Sequence, residues 1–329
     1  MRYKLIVGLI VILLGGHSLL AGTGFRKYAG EFMAIDVSAR AQAMGGAFSA
    51  LANDVYATFY NPAGLVQIQS MQLAFTHTQQ FLASVNYDYI GFTKPISENK
   101  AFGLSLIRLG VDNIKDSRSA AIFDDNGILQ SIDQSRVEKF NSADYVFFFS
   151  LSQRFRSNLL LGFNVKLIRR DLADHSANGL GFDIGALYLV SDRFRVSAMI
   201  RNPWATLIAW DTGEKELVQP QIRLGTTYRI PLPALDSYLI PNFDFVIDTQ
   251  NAPNLAENSL GPGLISGAVG GELVFKNRLF IRGGYDDLQR VNLGLGIQIP
   301  HLNLDYSFTS YDQELGNAHR IGVLVAFNK

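Results

Sequence analysis

The chain has no cysteine, which excludes disulfides, thiolate metal ligands and cysteine nucleophiles. It also has no net charge, because 29 Lys and Arg residues balance 29 Asp and Glu residues. No run of five or more like charges occurs along the sequence. A nucleic-acid partner is therefore not expected, since such proteins present a basic patch to the phosphate backbone.

The motifs of common catalytic sites are missing as well. There is no Gly-x-Ser-x-Gly, no His-Glu-x-x-His and no glycine loop that would hold a phosphate. The stretch Asp124-Asp125-Asn126-Gly127 lacks the alternating ligand spacing of a calcium loop and predicts an ordinary turn. We expect no enzymatic activity, no metal and no cofactor.

The first residues have the pattern of a Sec signal peptide. Arg2 and Lys4 precede an apolar run over residues 5–14, and the small residues Ala21 and Gly22 follow. A membrane anchor is the alternative, but a spanning helix needs roughly 20 apolar residues. The sequence predicts a signal peptide over residues 1–22, removed on export.

Beyond the signal no second long apolar run occurs, although 48% of the chain is hydrophobic. Instead, apolar residues recur at every second position, as in Val291, Leu293 and Leu295 against Asn292 and Gly294. Many such segments reach the roughly 9 to 11 residues with which a tilted strand crosses a bilayer. About fourteen are predicted, at residues 71–81, 84–95, 100–110, 143–155, 158–170, 178–190, 193–202, 219–231, 238–248, 266–276, 278–285, 290–300, 302–311 and 319–327.

The connections between these segments support a barrel over a secreted β-sandwich. The long ones, at 111–142, 171–177, 203–218 and 249–265, all fall on one end if the strands alternate in direction, and the short ones fall on the other. Outer-membrane barrels have this asymmetry, whereas a sandwich gives no reason for it. The alternation slips near Gly91, where a bulge is predicted. We predict an all-β transmembrane barrel over residues 71–329.

The segment before the first strand, residues 23–70, has a different character. Ser38 is a good N-cap for an alanine-rich helix, and Gly45-Gly46 would weaken that helix unless close packing required small residues. Asn61-Pro62-Ala63-Gly64 suits a type I turn, which in the simpler interpretation only reverses the chain into strand one. We predict a short helical plug.

The stretch from Ser38 to Leu65, with Ala-Met-Gly-Gly-Ala and Tyr-Asn-Pro-Ala-Gly-Leu, resembles the PorV/PorQ family of the FadL-like outer-membrane proteins. The resemblance implies a fourteen-stranded barrel with the N-terminal segment folded into its lumen. It also implies a role in type IX secretion, in which the barrel binds C-terminal signal domains of cargo; in the FadL branch the implied activity is passive uptake of hydrophobic molecules. The motif residues are Ser38, Met44, Gly45, Gly46, Asn61, Pro62, Ala63 and Gly64.

Polar residues in the phase opposite to the apolar ones are candidates for the lumen. Facing lipid at mid-depth, an Arg or Lys would cost roughly 2 to 4 kcal/mol, so these residues are expected to face inward. They either fill the interior and bind the plug or form a substrate site, and the first alternative is the simpler. The candidates are Asn164, Lys166, Asp183, Arg223, Arg229, Asp244, Asn292, Asn303 and Asp305.

Two functions follow from these predictions. The first is a type IX secretion accessory in the outer membrane that docks secreted cargo or partner proteins through its outer loops. The second is a transporter of hydrophobic compounds in which residues 38–65 act as the gate. A structural barrel with neither role is a third possibility. The expected partners are outer-membrane lipid and either protein cargo or a hydrophobic small molecule.

Overall fold

The computed structural model describes residues 30–81, 84–124, 126–249, 264–286, 288–311 and 316–327. The predicted signal peptide lies outside the described residues, as does most of the predicted loop 249–265. Within the described parts of the chain, no helix is long and apolar enough to span a membrane. The strands are β1 (Gln72–Gln80), β2 (Val85–Ser97), β3 (Lys100–Asp116), β4 (Ala121–Phe123), β5 (Leu129–Ile132), β6 (Glu138–Arg156), β7 (Leu159–Leu172), β8 (His175–Leu189), β9 (Phe194–Arg201), β10 (Thr206–Trp210), β11 (Lys215–Val218), β12 (Gln221–Tyr228), β13 (Ile230–Leu232), β14 (Ser237–Asp248), β15 (Leu264–Phe275), β16 (Leu279–Tyr285), β17 (Val291–Ile299), β18 (Leu302–Thr309) and β19 (Ala318–Ala326).

Fourteen of these strands form a closed antiparallel barrel, which confirms the predicted fold. Each wall strand pairs with its neighbour in sequence, and β1 closes the wall against β19 from Gln72 opposite Ala326 to Gln79 opposite His319. Strands β4 and β5 form a separate hairpin, β10 and β11 form a hairpin on the edge of β8, and β13 continues the pairing of β12 with β14. The wall strands are β1, β2, β3, β6, β7, β8, β9, β12, β14, β15, β16, β17, β18 and β19.

The wall has two chemically different faces because successive side chains of a strand point to opposite sides. Strand β17 is typical: Val291, Leu293 and Leu295 point outward and are exposed, whereas Asn292 and Gly294 point inward and are buried. The hydrophobic core lies inside the barrel, where the inner segment, residues 30–68, packs against inward side chains of the wall. The outer face thus presents apolar side chains to the surroundings.

The inner segment consists of short helical turns: Glu31–Met33, Ala39–Gln42, Ala57–Tyr60 and Pro62–Gln67. Ser38 is the N-cap of the second, and its hydroxyl accepts a hydrogen bond from the Ala41 N–H at 3.3 Å, as predicted. The alanine-rich helix itself is shorter than expected. It ends at Gln42 because Gly45 and Gly46 adopt φ of 66° and 78°, left-handed values that glycine tolerates and a helix does not.

Two predictions about the wall are wrong. The predicted connection 171–177 shrinks to residues 173–174, because strand pairing continues through polar residues past the apolar band, with Leu172 opposite His175. No bulge occurs at Gly91, which pairs regularly with Ala74 and Ser105. The alternation slips there because Tyr87 and Tyr89 point inward, where their hydroxyls donate to Ile35 O and Val55 O at 2.9 and 3.0 Å.

The two ends of the barrel differ in height. At the short-turn end, defined by residues 98–99, 157–158, 276–278 and 300–301, the strands are joined tightly. At the long-loop end, defined by residues 117–137 and 202–220, β3 and β6 extend beyond their neighbours. They contain 17 and 19 residues, whereas β16 contains 7. The hairpin β4–β5 and the 3-10 turn Gln134–Arg136 belong to this raised side, and the 3-10 turn Pro233–Leu235 to the short-turn end.

Candidate functional site: the barrel interior

The predicted Asn-Pro-Ala turn lies against wall strands β7 and β8. Asn61 accepts a hydrogen bond from Ala63 N–H at 3.1 Å, and its amide donates to Ser49 O at 3.1 Å and Ala186 O at 3.2 Å. The turn continues into the 3-10 helix Pro62–Gln67. Asn61 therefore joins the inner segment to the wall besides shaping its own turn.

This contact depends on two wall glycines. A Cβ atom on Gly162 would lie 2.2 Å from Ala63 N, and one on Gly185 would lie 2.2 Å from Asn61 Oδ1. Both distances are far below van der Waals contact. The inner segment can thus approach the wall only where side chains are absent.

A second close approach occurs at the Met44-Gly45 step. Here the wall provides Gly270 and Gly284, where an added Cβ would meet Met44 O at 2.3 Å and Met44 C at 2.2 Å. On the other side of the contact, a Cβ on Gly45 would lie 2.6 Å from Tyr285 O. Glycine is required on both surfaces.

Buried ion pairs fix the inner segment toward the short-turn end. Arg40 binds Glu272 at 2.8 Å and Asp54 at 3.0 Å, while Arg282 binds Glu272 at 2.7 Å and Asp305 at 2.6 Å. Burial raises the pKa of the Asp54 carboxyl, and the neighbouring Arg40 guanidinium opposes that shift. Glu272, with arginines on both sides, is the centre of this network.

A second polar cluster lies toward the long-loop end. Lys166 binds Asp183 at 2.7 Å, and the Asn164 amide donates to Asp183 at 3.2 Å and to Thr58 O of the inner segment at 2.9 Å. All three of these predicted lumen residues are buried. Their polar groups bind one another and the inner segment.

Asp244 and Asn292 also hold the inner segment. Asp244 accepts from the N–H groups of Phe48 and Ser49 at 3.3 and 3.1 Å, and Asn292 accepts from the Gln42 amide at 2.8 Å. Arg223 donates to Gly46 O at 3.0 Å. Through Asp244 and Arg223, the wall thus satisfies buried peptide groups that the short turns of the inner segment leave unpaired.

Arg229 and Asn303 behave differently from the other predicted lumen residues. Both line a cavity of about 250 Å³ that opens at the short-turn end, and neither contacts the inner segment through a hydrogen bond among the described residues. A second cavity of about 110 Å³ toward the long-loop end is lined by Glu31, Phe59 and Arg201. The core of the inner segment lies between the two.

Sequence reasoning missed three residues that make the strongest interior contacts, namely Arg40, Glu272 and Arg282. A signal was present, since Glu272 and Arg282 occupy the inward phase of predicted strands together with Gly270 and Gly284. The rule that identified the other lumen residues applies equally to them. Arg40 had no such signal, because it lies outside the strands.

Comparison with known proteins supports the fold and leaves the family open. A model of an uncharacterised protein family, UPF0164, matches residues 23–180. No curated protein matches the chain. The PorV/PorQ family is not named by these findings.

Solved structures of hydrocarbon transporters match most of the chain. The toluene transporter TbuX of Ralstonia pickettii is 14% identical, with a TM-score of 0.55, over 88% of this chain and 97% of its own. The toluene transporter TodX of Pseudomonas putida is 12% identical, with a TM-score of 0.55 and coverage of 88% and 98%. A FadL homologue of Pseudomonas aeruginosa is 12% identical, with a TM-score of 0.56 and coverage of 89% and 98%. The chain therefore has the FadL-like β-barrel fold.

Proposed function

We propose that this protein is an outer-membrane channel for hydrophobic small molecules. The observation that carries the proposal is a closed barrel with an outward apolar face and an inner segment in its lumen, on a fold shared with toluene transporters over nearly their whole length. The outward Val, Leu and Ile side chains are suited to contact with lipid. The chain has no net charge, and a neutral substrate requires none for its recognition. Export through the predicted signal peptide belongs to the same proposal.

The inner segment is the gate in this proposal. Cavities lie toward both ends of the barrel, and the buried core of residues 37–65 separates them. A substrate that passes along the lumen must displace part of this core. The many short turns of the segment allow such a local rearrangement more readily than a continuous helix would.

Uptake of radiolabelled toluene tests the proposal. The protein is expressed in a Gram-negative host that lacks its own hydrocarbon transporter, and initial uptake is compared with the same host carrying an empty vector. We expect expression to raise the rate severalfold without changing uptake of a polar solute of similar size. Equal rates with and without the protein would contradict channel function.

A disulfide tests the gate. A Cβ atom on Gly322 of β19 would lie 3.5 Å from the Ala39 Cβ of the inner segment, within the range of a disulfide. Because the chain has no cysteine, Ala39→Cys with Gly322→Cys creates a single possible bond. We expect toluene uptake to fall on oxidation and to recover on reduction.

The two single-cysteine variants are the controls for this experiment, since they carry the same substitutions and cannot form the bond. Their uptake should not respond to oxidation. Full uptake by the oxidised double variant would show that residue 39 does not move during passage. Channel function would then stand, with a different gate.

Docking of secreted cargo or partner proteins in type IX secretion is the second candidate. One observation favours it: the hairpin β4–β5 on the raised side of the long-loop end exposes apolar side chains, with Phe123 58% and Ile128 64% exposed. Such side chains outside the lipid-facing band suit a protein contact. Deletion of the gene should then leave secreted proteins in the periplasm, and normal secretion would exclude this role.

A further inference from the structure

Three arginines at the short-turn end have no carboxylate partner. Arg193, Arg195 and Arg229 all line the 250 Å³ cavity, and within the described residues none of them forms an ion pair. Arg40 and Arg282 line the same cavity, but Glu272, Asp54 and Asp305 neutralise them. With Asp192 included, five arginines and four carboxylates line the cavity, so its lining has a net charge of +1.

Strand pairing brings these three arginines together. Arg195 on β9 is opposite Thr227 on β12, and the Arg229 N–H donates to Arg193 O at 2.8 Å across the same pair of strands. Residues two apart on a strand share a face. The three side chains therefore lie on one face of this strand pair and line the same cavity, where their like charges repel unless an anion is present.

Arg195 and Arg229 each retain N–H donors for which the described residues provide no acceptor. Arg195 donates through Nη1 to Gln67 Oε1 at 3.0 Å, and the Arg229 guanidinium stacks 3.7 Å from the centre of the Tyr238 ring. A guanidinium carries five N–H donors in a planar fork that matches a carboxylate. Stacking on Tyr238 orients the Arg229 fork and leaves its edge available.

The other lining residues define the remainder of the ligand. Ile240, Phe280 and Leu324 give the cavity an apolar wall, so a bare inorganic anion would leave that surface unused. Asp192 also lines the cavity, and its carboxylate would repel an anionic group of the ligand placed next to it. The volume of about 250 Å³ lies just below the usual range for ligand sites and suits a small molecule.

We propose that this arginine cavity binds a small organic acid, with its carboxylate on Arg195 and Arg229 and its apolar body against Ile240 and Phe280. The site is distinct from passage of neutral hydrocarbons, because it recognises a charge that those compounds lack. Its position at the short-turn end would place the acid on the periplasmic side of the inner segment.

Equilibrium dialysis of the purified full-length barrel in a neutral detergent tests the site, with radiolabelled 4-methylbenzoate as the probe and 4-methylbenzamide as its uncharged match. We expect the acid to bind about tenfold or more tightly than the amide, because hydrogen bonds to charged groups contribute more than neutral ones. The combination Arg195→Gln with Arg229→Gln should weaken binding of the acid by at least about tenfold. Arg136→Gln, in the exposed 3-10 turn at the opposite end, is the matched control and should bind normally.

Several outcomes would overturn the proposal. Equal binding of acid and amide by the unmodified protein would contradict it, and misfolding of a variant could not explain that result. Normal binding by the double variant would remove Arg195 and Arg229 from the site, and equally tight binding of inorganic phosphate would remove the apolar part of the ligand. Toluene uptake by the double variant should stay unchanged, so failure here and failure of channel function give different results.

Discussion

Gly270 and Gly271 are adjacent on β15, and they show how differently the two faces of the wall are constrained. A Cβ atom on Gly270 would lie 2.3 Å from Met44 O of the inner segment, whereas on Gly271 the nearest atom, Ile240 O, would be 3.8 Å away. Gly283 and Gly284 on β16 repeat the contrast. At the inward position, contact with one particular residue limits the side chain to that of glycine. At the outward position, only the general surroundings limit it.

The two faces of the wall also differ in where charged side chains occur. Inward residues such as Glu272 and Arg282 are buried and paired, whereas outward positions such as Leu295 and Leu293 carry exposed apolar side chains. One strand therefore satisfies two requirements at alternate positions: specific contact on the inside and general hydrophobicity on the outside. Substitutions on the two faces should therefore lower the stability of the barrel for different physical reasons.

The largest loss of stability is expected from Glu272→Gln on the inward face. The change keeps the shape of the side chain but leaves Arg40 with Asp54 alone and Arg282 with Asp305 alone. Glu272 accepts hydrogen bonds from both arginines, and a Gln amide would present an N–H donor in place of one acceptor oxygen, so the free energy of unfolding should fall by about 3 to 4 kcal/mol. Urea unfolding in detergent, followed by tryptophan fluorescence, measures it.

Asp133→Asn is the control for that experiment, because Asp133 pairs with Arg136 on the surface at the long-loop end. Its unfolding midpoint should not move, since exposed ion pairs contribute little. If Glu272→Gln also left the unfolding midpoint unchanged, the ion-pair network would not hold the inner segment in place.

A slightly smaller loss is expected from Leu295→Arg at the middle of β17, where the side chain is 55% exposed on the outward face. In a bilayer the charge would cost about 2 to 4 kcal/mol. Ile128→Arg, in the turn of the β4–β5 hairpin beyond the wall, is the control and should cost little. Folding into lipid vesicles compares the two, and equal stability would mean that the face does not contact lipid.

The neighbouring glycines give the smallest effect and the most direct comparison. Gly270→Val should destabilise by about 1 to 3 kcal/mol, because the added atoms overlap Met44. Gly271→Val should have no such cost. Unfolding of the two variants under identical conditions isolates the contribution of the inner segment, and similar midpoints would indicate that the segment withdraws from this part of the wall.

Much of the wall was predictable because period two depends only on local geometry and on the difference between an apolar outer face and a polar interior. Each of the fourteen predicted strands corresponds to an observed one, and the inward phase of Asn164 and Asp183 is the observed one. The ends of strands were less predictable. At 171–177 and at both ends of 111–142, backbone pairing continues through polar residues that no apolar pattern marks.

The sequence predicted which kinds of residue lie in the interior, but not which residues contact one another there. Ser38 and Asn61 have local roles, as caps, that short-range rules describe, yet the contact of Asn61 with Ala186 joins residues 125 apart. From the sequence alone, Gly162 is only a residue that weakens a strand, and the structure shows that Ala63 packs against it. The division of the chain at residues 22 and 70 remains a prediction.

By itself, the amino-acid sequence determined the number of the strands, most of their alternation and the face that most side chains take, since all three follow from spacing along the chain. Only the tertiary structure decided which wall glycines receive the inner segment, which carboxylate joins Arg40 to Arg282, and which arginines remain without one. Those pairings connect residues far apart in sequence, and closure of the barrel is what brings them within bonding distance.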